Sequence, residues 1–200
     1  MNNKSSSYHH GDLRQKLIEQ ATLVIESNGV DALSMRKLGE VIGVSRSALY
    51  HHFDNKQNLL AAIAESGFAT WQAITQTFLN EDSLSEHDKL TKYVKGYLEF
   101  ARQHKATYEL MFGNIIWQNE LDTESLKNTA YDTFHQYLNL IKHWQDTATI
   151  SSSQNSLRLA QVSWSTLHGM AKLYNDGIYV NDTNLEELSQ SIVQLLQTKN

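Results

Sequence analysis

The chain is 200 residues long, has no proline and no cysteine, and carries a formal charge of −5. Average usage would place about ten prolines in such a chain, so nothing here forces a helix to stop or kink; the missing cysteine excludes disulfides, thiolate metal sites, iron–sulfur clusters and a cysteine nucleophile. Net acidity argues against wholesale coating of nucleic acid, but the charge is uneven: up to Gly67 basic and acidic residues balance at seven each, and the ten basic and fifteen acidic residues beyond it hold the whole −5.

The first periodic segment places Leu13, Leu17, Ala21, Val24 and Ile25 at amphipathic helical spacing, and Asn28-Gly29 ends it with a residue that tolerates positive φ. Ser34 caps a second short helix through Leu38 and Val41, interrupted at Gly43. Ser45 caps a third, bearing Ala48 and Leu49 and ending near His52. A fourth begins around Asn55-Lys56 and runs to about Phe78, with Gly67 its one internal breaker. Polar residues from Asn80 to Ser85 mark a loop, and Ser85 with Asp88 has the pattern of a capping box opening a helix through Tyr93, Tyr97 and Phe100. Further helices are predicted over Ala106 to Phe112, Thr123 to Gln145, Ser156 to Tyr174 and Asn184 to Gln197. The Ser- and Thr-rich stretch from Asp146 to Asn155 reads as a loop, and Ile178-Tyr179-Val180 is too short to count as a strand. The expected fold is all-α with about nine helices.

Ser34 to Phe53, SMRKLGEVIGVSRSALYHHF, has the shape of a helix-turn-helix. Leu38, Val41, Ile42, Val44 and Leu49 can lock its two helices against the first one. Arg46, Ser47, Ala48 and Tyr50 are then left on an exposed surface that fits the major groove of B-DNA. Ser47 and Ala48 are small enough to let the backbone approach, and Arg46 can bond a guanine bidentately or hold a phosphate. From Ser34 to Lys56 four basic residues face two acidic ones, with His51 and His52 added, a modest positive patch. An isolated Arg46 or Lys56 would ordinarily be a solvated charge; inside this spacing, contact with DNA is the expectation. The His51-His52 and His9-His10 pairs are poor metal sites, because neighbours at i and i+1 do not share a helix face; no cofactor is expected.

The order helix, helix-turn-helix, then Leu-Tyr-x-His-Phe-x-x-Lys resembles the TetR family of bacterial transcriptional repressors over Leu13 to Ala64. That resemblance implies that Tyr50 and Lys56 contact DNA phosphates, that His51 and His52 hold adjacent phosphate-facing positions, and that Arg36 matches a basic residue at the start of the second helix. With the cap serines, the implied DNA surface is Ser34, Arg36, Ser45, Arg46, Ser47, Ala48, Tyr50, His51, His52 and Lys56. The N-terminal YHHGDLR, together with Trp164-Ser-Thr-Leu-His168-Gly169, is similar to the branch whose C-terminal domain carries a Trp-His-Gly signature. The division implied is a helix-turn-helix domain over 1–55 and a helical ligand-binding and dimerisation domain over 56–200.

Beyond Gly67 the chain is crowded with aromatic residues, most of which must fill a core. The resemblance favours a cavity in this part, and such cavities are mainly apolar with a few orienting polar groups. The candidate lining is Tyr97, Phe100, Met111, Phe112, Trp117, Phe134, Tyr137, Trp164 and His168. Trp164 and His168 share a helix face and Gly169 permits a close approach, so packing or a helix crossing is the competing role for this trio. TetR-like proteins pair through their last two long helices. Leu157, Ala160, Val162, Leu167, Ala171, Leu188, Ile192, Leu195 and Leu196 supply more apolar positions there than one inward face needs.

The partners implied are therefore a palindromic double-stranded DNA operator, a second copy of the chain and a small-molecule effector that releases the DNA. Gly67 and the fourth helix are where the coupling should pass. An enzyme is not expected, since there is no Gly-rich phosphate loop and no His-Glu-x-x-His pattern. The alternative is a helix-turn-helix adaptor or architectural protein that senses nothing. No apolar run approaches a membrane span and MNNKSSSYHHGD lacks the apolar segment of a secretory signal, which makes a soluble, cytoplasmic protein the expectation.

Overall fold

A computed structural model describes residues 10–117, 123–179 and 184–197; His9 and Val180, on which two of the sequence readings touch, lie outside them. Among the described residues every element is helical: ten α-helices and one 3-10 turn, with no strand. The predicted boundaries agree with the observed ones to within three residues. Two short elements were not foreseen, the 3-10 turn Val30–Ala32 and the single-turn helix Asn114–Trp117.

The chain forms two compact units, Met1–Gly67 with Ala106–Leu126, and Phe68–Lys105 with Lys127–Asn200. The first contains α1 (His10–Asn28), α2 (Met35–Ile42), α3 (Arg46–His52), the first half of α4 (Lys56–Leu79), α6 (Lys105–Phe112) from Ala106 onward, and α7 (Asn114–Trp117). On α1, Leu17, Ile18, Ala21 and Ile25 are buried, one apolar stripe at helical spacing. Leu33, Met35, Leu38, Leu49, Phe53, Leu59 and Ile63 are likewise buried within this unit. Gly43 closes α2 at φ 76°, a left-handed conformation open to glycine at little cost, and its amide returns to the carbonyl of Gly39 at 3.0 Å.

Two features tie Ala106–Leu126 to this unit. The Glu26 carboxylate on α1 accepts the amides of Ala106 at 3.1 Å and Thr107 at 3.0 Å and the Thr107 hydroxyl at 2.6 Å, so a side chain from another helix caps α6. Gly67 lets α6 lie close against α4: a Cβ there would stand 2.7 Å from both Met111 Sδ and Thr107 Cγ2. The boundary expected after residue 55 thus precedes the first half of α4, whose Leu59, Leu60 and Ile63 are buried in the first unit.

The second unit is organised around α5 (Glu86–Gln103), which packs on α9 (Ser156–Asn175) and α10 (Leu185–Gln197). Leu90, Tyr93, Val94, Tyr97, Leu98, Phe100 and Ala101 of α5 are buried, more than one face's worth, as a central helix requires. Ser85 caps it as predicted: Ser85 Oγ accepts the Asp88 amide at 3.1 Å and donates to the Asp88 carboxylate at 2.5 Å, holding that carboxyl below its usual range. The second half of α4 and α8 (Glu124–Asp146) from Lys127 onward complete the unit.

Candidate DNA-reading surface and small-molecule cavity

In the first unit, α3 is only seven residues long and is held by its buried Leu49 and by Phe53, buried immediately after it. Ser45 Oγ accepts the Ala48 amide at 3.2 Å and lies 3.0 Å from Ser47 Oγ, so the helix entry is fixed by two hydroxyls. Ser45, Arg46, Ser47 and His51 are exposed, while Ala48, Tyr50 and His52 are half-buried. The Arg46 guanidinium stands 5.4 Å over the Tyr50 ring, which pre-orders a long cation beside a phenol at little entropic cost. Of the four residues read from the sequence as an exposed surface, Arg46 and Ser47 are exposed, whereas Ala48 and Tyr50 are half-buried.

The flanking residues are more occupied than the sequence suggested. Ser34 Oγ serves as the cap of α2, accepting the Lys37 amide at 3.5 Å. Arg36 is 86% exposed, yet its Nε donates to Glu40 Oε1 at 2.9 Å, a pairing that raises the guanidinium pKa. Such an exposed i,i+4 pair is weak and screened, so a phosphate can displace it. Lys56 is half-buried at the start of α4 and donates Nζ to the carbonyl of Val30 at 2.8 Å, pinning the 3-10 turn. An ammonium has three donors, and the phosphate role implied by the resemblance would use the other two. Arg36, Glu40, Arg46 and Tyr50 surround a shallow groove of about 160 Å³ between α2 and α3, floored by Met35, Val44 and Leu49. Glu40 was absent from the sequence-derived set, although its place four residues after Arg36 is the signal for the pair.

In the second unit a half-open cavity of about 340 Å³ lies among the C-terminal half of α4, Tyr93 of α5, and α8. Helix α4 contributes Trp71, Gln72, Thr75, Gln76 and Leu79, and α8 contributes Thr133, Gln136, Tyr137, Asn139 and Leu140. The floor is buried: Trp71, Thr75, Tyr93, Thr133 and Tyr137 are each no more than 5% exposed. Gln72 Nε2 donates to Thr133 Oγ1 at 2.7 Å and so joins α4 to α8 across the floor. Burial raises the pKa of both tyrosines; for Tyr93 a hydrogen bond from Trp71, and for Tyr137 one with Ser163 at 2.8 Å, opposes but does not cancel the effect. Both phenols therefore stay neutral.

Of the nine residues put forward as a pocket from the sequence, Tyr137 alone lines this cavity. Tyr97, Phe134, Tyr137 and Trp164 come together as a packed cluster: Trp164 Nε1 donates to the Tyr97 hydroxyl at 3.0 Å, Phe134 stacks on Trp164 at 5.2 Å, and Tyr137 meets it edge-on at 5.8 Å. Phe100 lies against Trp71 at 5.7 Å, and His168 is half-buried on α9. Met111, Phe112 and Trp117 belong to the first unit, where Trp117 Nε1 donates to the Met111 carbonyl at 2.7 Å and Phe112 tilts against Tyr108 at 4.9 Å. The lining that sequence reasoning missed carries a periodic signal. Gln72, Thr75, Gln76 and Leu79, and again Thr133, Gln136, Tyr137 and Leu140, repeat the i, i+3, i+4, i+7 spacing of one helix face.

Among the described residues no three His, Asp or Glu side chains are grouped as a metal site would need, and no helix is long and apolar enough to cross a membrane. A family model described as bacterial regulatory proteins, tetR family, matches residues 17–63, and one described as tetracyclin repressor-like, C-terminal domain, matches residues 90–196. Over 56 residues the chain is 38% identical to the HTH-type transcriptional repressor AcnR of Corynebacterium diphtheriae, a match that spans 28% of this chain and 30% of that protein. Tetracycline repressor protein class D of Escherichia coli is 23% identical over 184 residues, 86% of this chain and 80% of that one. Among solved structures, a protein of unknown function from Rhodococcus sp. RHA1 superposes with a TM-score of 0.80 at 28% identity, covering 96% of this chain and all of that one (100%). The regulator PfmR of Thermus thermophilus shares the fold at a TM-score of 0.65 and 18% identity, with coverages of 90% and 96%.

Proposed function

This chain belongs to the TetR family of bacterial regulatory proteins and is a DNA-binding transcriptional repressor, and we propose that it binds a palindromic operator as a homodimer and leaves it when a small molecule occupies the second unit. The observation that carries the reading is α3: a short, doubly capped helix whose Ser45, Arg46 and Ser47 face solvent while Leu49 anchors it in the core. In this reading the division drawn from the sequence, 1–55 for DNA and 56–200 for sensing and dimerisation, is shifted so that Lys56 and the start of α4 go with the reading head and the sensor and dimer surfaces lie in the second unit. The contact set is Ser34, Arg36, Ser45 to Ala48, Tyr50, His51, His52 and Lys56, with base edges met by the N-terminal end of α3 and phosphates by the rest. Binding DNA places the protein in the cytoplasm.

Apolar side chains left over from the core support a dimer through α9 and α10. Val162 is 63% exposed and Leu195 68%, with Leu157 at 39%, and a Cβ on Gly169 would meet nothing within 4 Å of its own chain. Ala160, Leu167, Ala171, Ile192 and Leu196, also named from the sequence, are buried within their own unit, so the leftover stripe is narrower than nine residues. The Trp164, His168 and Gly169 set, which resembles the signature of one branch in sequence, then acts in packing: Trp164 closes the aromatic cluster and Gly169 keeps the outer face of α9 flat.

Release follows if the effector binds better to a conformation whose two reading heads are mis-spaced, and its effect on DNA affinity equals its differential affinity for the two conformations. Helix α4, which carries Lys56 at one end and Trp71 to Leu79 near the other, is the element through which we route that coupling. The test begins with DNA selected from random duplexes. A Tyr50→Phe, Lys56→Ala double variant should bind it more weakly at moderate salt, with a shallower dependence on salt concentration. Unchanged affinity and slope would sink the phosphate assignment.

A further inference from the structure

The lining of the α4–α5–α8 cavity states what it will accept. It contains no Asp, Glu, Lys, Arg or His. Its ionisable members are Tyr93 and Tyr137, and burial keeps both as neutral phenols. The unit around it is close to balanced as well, with ten basic and eleven acidic residues, so no strong field of either sign gathers ions into the cavity. An ion entering this site would shed water and find no opposite charge in exchange, which is the costly case of burial.

The exposed polar groups at the rim are all amides. Gln76, Gln136 and Asn139 are exposed, at the rim, and each offers an amide oxygen as acceptor and an NH2 group as donor. On the floor, Thr133 is already committed, accepting from Gln72 at 2.7 Å and donating to the Thr129 carbonyl at 2.8 Å, and Thr75 donates to the Gln72 carbonyl at 2.8 Å. The remaining floor is the ring surface of Trp71, Tyr93 and Tyr137, with Leu79 and Leu140 beside it. A cavity of about 340 Å³ is the share of about eleven waters in the liquid, room for a fused bicyclic ring with one substituent.

We propose that the effector is an uncharged amphiphile: a flat apolar ring system seated on Trp71, Tyr137 and Leu140, bearing a carboxamide, lactam or similar group that both donates and accepts toward Gln76, Gln136 and Asn139. The inference rests on the reading of the second unit as a sensor. It fixes the chemistry of the ligand, and it moves the site from the Trp164 cluster to the face that α4 and α8 share.

The test uses the full chain and calorimetric titration at neutral pH with three probes that share a naphthalene ring: naphthamide, naphthoate and naphthylmethylammonium. Naphthamide should bind at least tenfold more tightly than either ion. A Gln136→Lys substitution, at an exposed position that leaves the core untouched, should strengthen naphthoate about threefold and weaken naphthylmethylammonium. Equal or tighter binding of either ion to the unaltered chain, no binding of naphthamide, or a Gln136→Lys chain that gains nothing for naphthoate would each overturn the proposal. Anisotropy of labelled operator DNA in the same samples separates the two levels of the argument. Naphthamide that binds and leaves DNA affinity unchanged keeps the ligand class and defeats the effector-release reading; naphthoate that binds the unaltered chain and releases DNA does the reverse.

Discussion

Replacing Glu26 with alanine removes the carboxylate that caps α6 from outside its own helix. Three hydrogen bonds go with it, from the Ala106 amide at 3.1 Å, the Thr107 amide at 3.0 Å and the Thr107 hydroxyl at 2.6 Å, all partly buried. An N-cap bond contributes about 1 kcal/mol; a negative charge at a helix N-terminus adds about 0.3–1 kcal/mol; and bonds to an ionised acceptor lie at the upper end of the hydrogen-bond range. Because water replaces part of what is lost, about 2 kcal/mol is the expected net cost. Glu26→Gln keeps one acceptor oxygen and should cost about half of that. The loss is local, so the assay is amide hydrogen exchange. Exchange at Ala106 and Thr107 should speed up by about 30-fold in Glu26→Ala, since about 1.4 kcal/mol is a factor of ten, while the amides of α5 and α9 keep their rates. Acceleration below about threefold at the two α6 amides, or an equal acceleration in α5, would refute the assignment of Glu26 as the α6 cap.

Ser163→Ala should destabilise more than Tyr137→Phe, because the first leaves the Tyr137 hydroxyl buried without its partner at 2.8 Å, about 1–3 kcal/mol, whereas in the second Ser163 keeps its bond to the Leu159 carbonyl at 2.6 Å; urea unfolding of the two variants ranks them. Gly67→Ala places a methyl 2.7 Å from Met111 Sδ and Thr107 Cγ2; overpacking of about 1–3 kcal/mol outweighs the helix propensity gained, up to about 1 kcal/mol, so a lower thermal midpoint is expected, and the Gly67→Ala, Met111→Ala double variant should lose less stability than the two single losses added together. Burial pushes the Glu86 carboxyl up, but hydrogen bonds from Lys89 at 3.1 Å and His143 at 2.9 Å prevail and hold it below its usual value. A depressed carboxylate stabilises fully above its unfolded pKa of about 4.3 and stops doing so as pH falls through the lower folded value. The stability difference between wild type and Glu86→Gln should therefore shrink as pH falls through the acid range; a difference unchanged under acid would count against the pairing.

Much of the reading surface was legible from residues alone because helix-turn-helix geometry is local. The caps at Ser34 and Ser45 and the left-handed glycine at 43 stand where the pattern placed them, and Leu38 and Leu49 are buried as read, but Val41 is 67% exposed and Ile42 and Val44 are half-buried. Pairings outside that pattern were less visible: that Arg36 is tied to Glu40, and that Lys56 spends a donor on Val30, 26 positions earlier. The cavity was hardest. Aromatic side chains draw attention in a sequence, but Trp164, Phe134 and Tyr97 satisfy one another, and a residue content with its neighbours has little left for a ligand.

What the sequence determines by itself is the all-helical class, the order and limits of the helices, the reading head and the family, because periodicity, caps and absent proline act over a turn or two of chain. Tertiary structure decides which segments belong together. Counted along the chain, the whole −5 lies beyond Gly67; counted by compact unit, the segment Ala106–Leu126 alone holds four acidic residues and no basic one, and it packs with the reading head. Glu26 and Gly67 bring it there, through a carboxylate and a missing side chain whose partners lie 40 to 81 residues away. Separations of that size leave no mark on local pattern, since only the folded chain brings the partners within reach of one another.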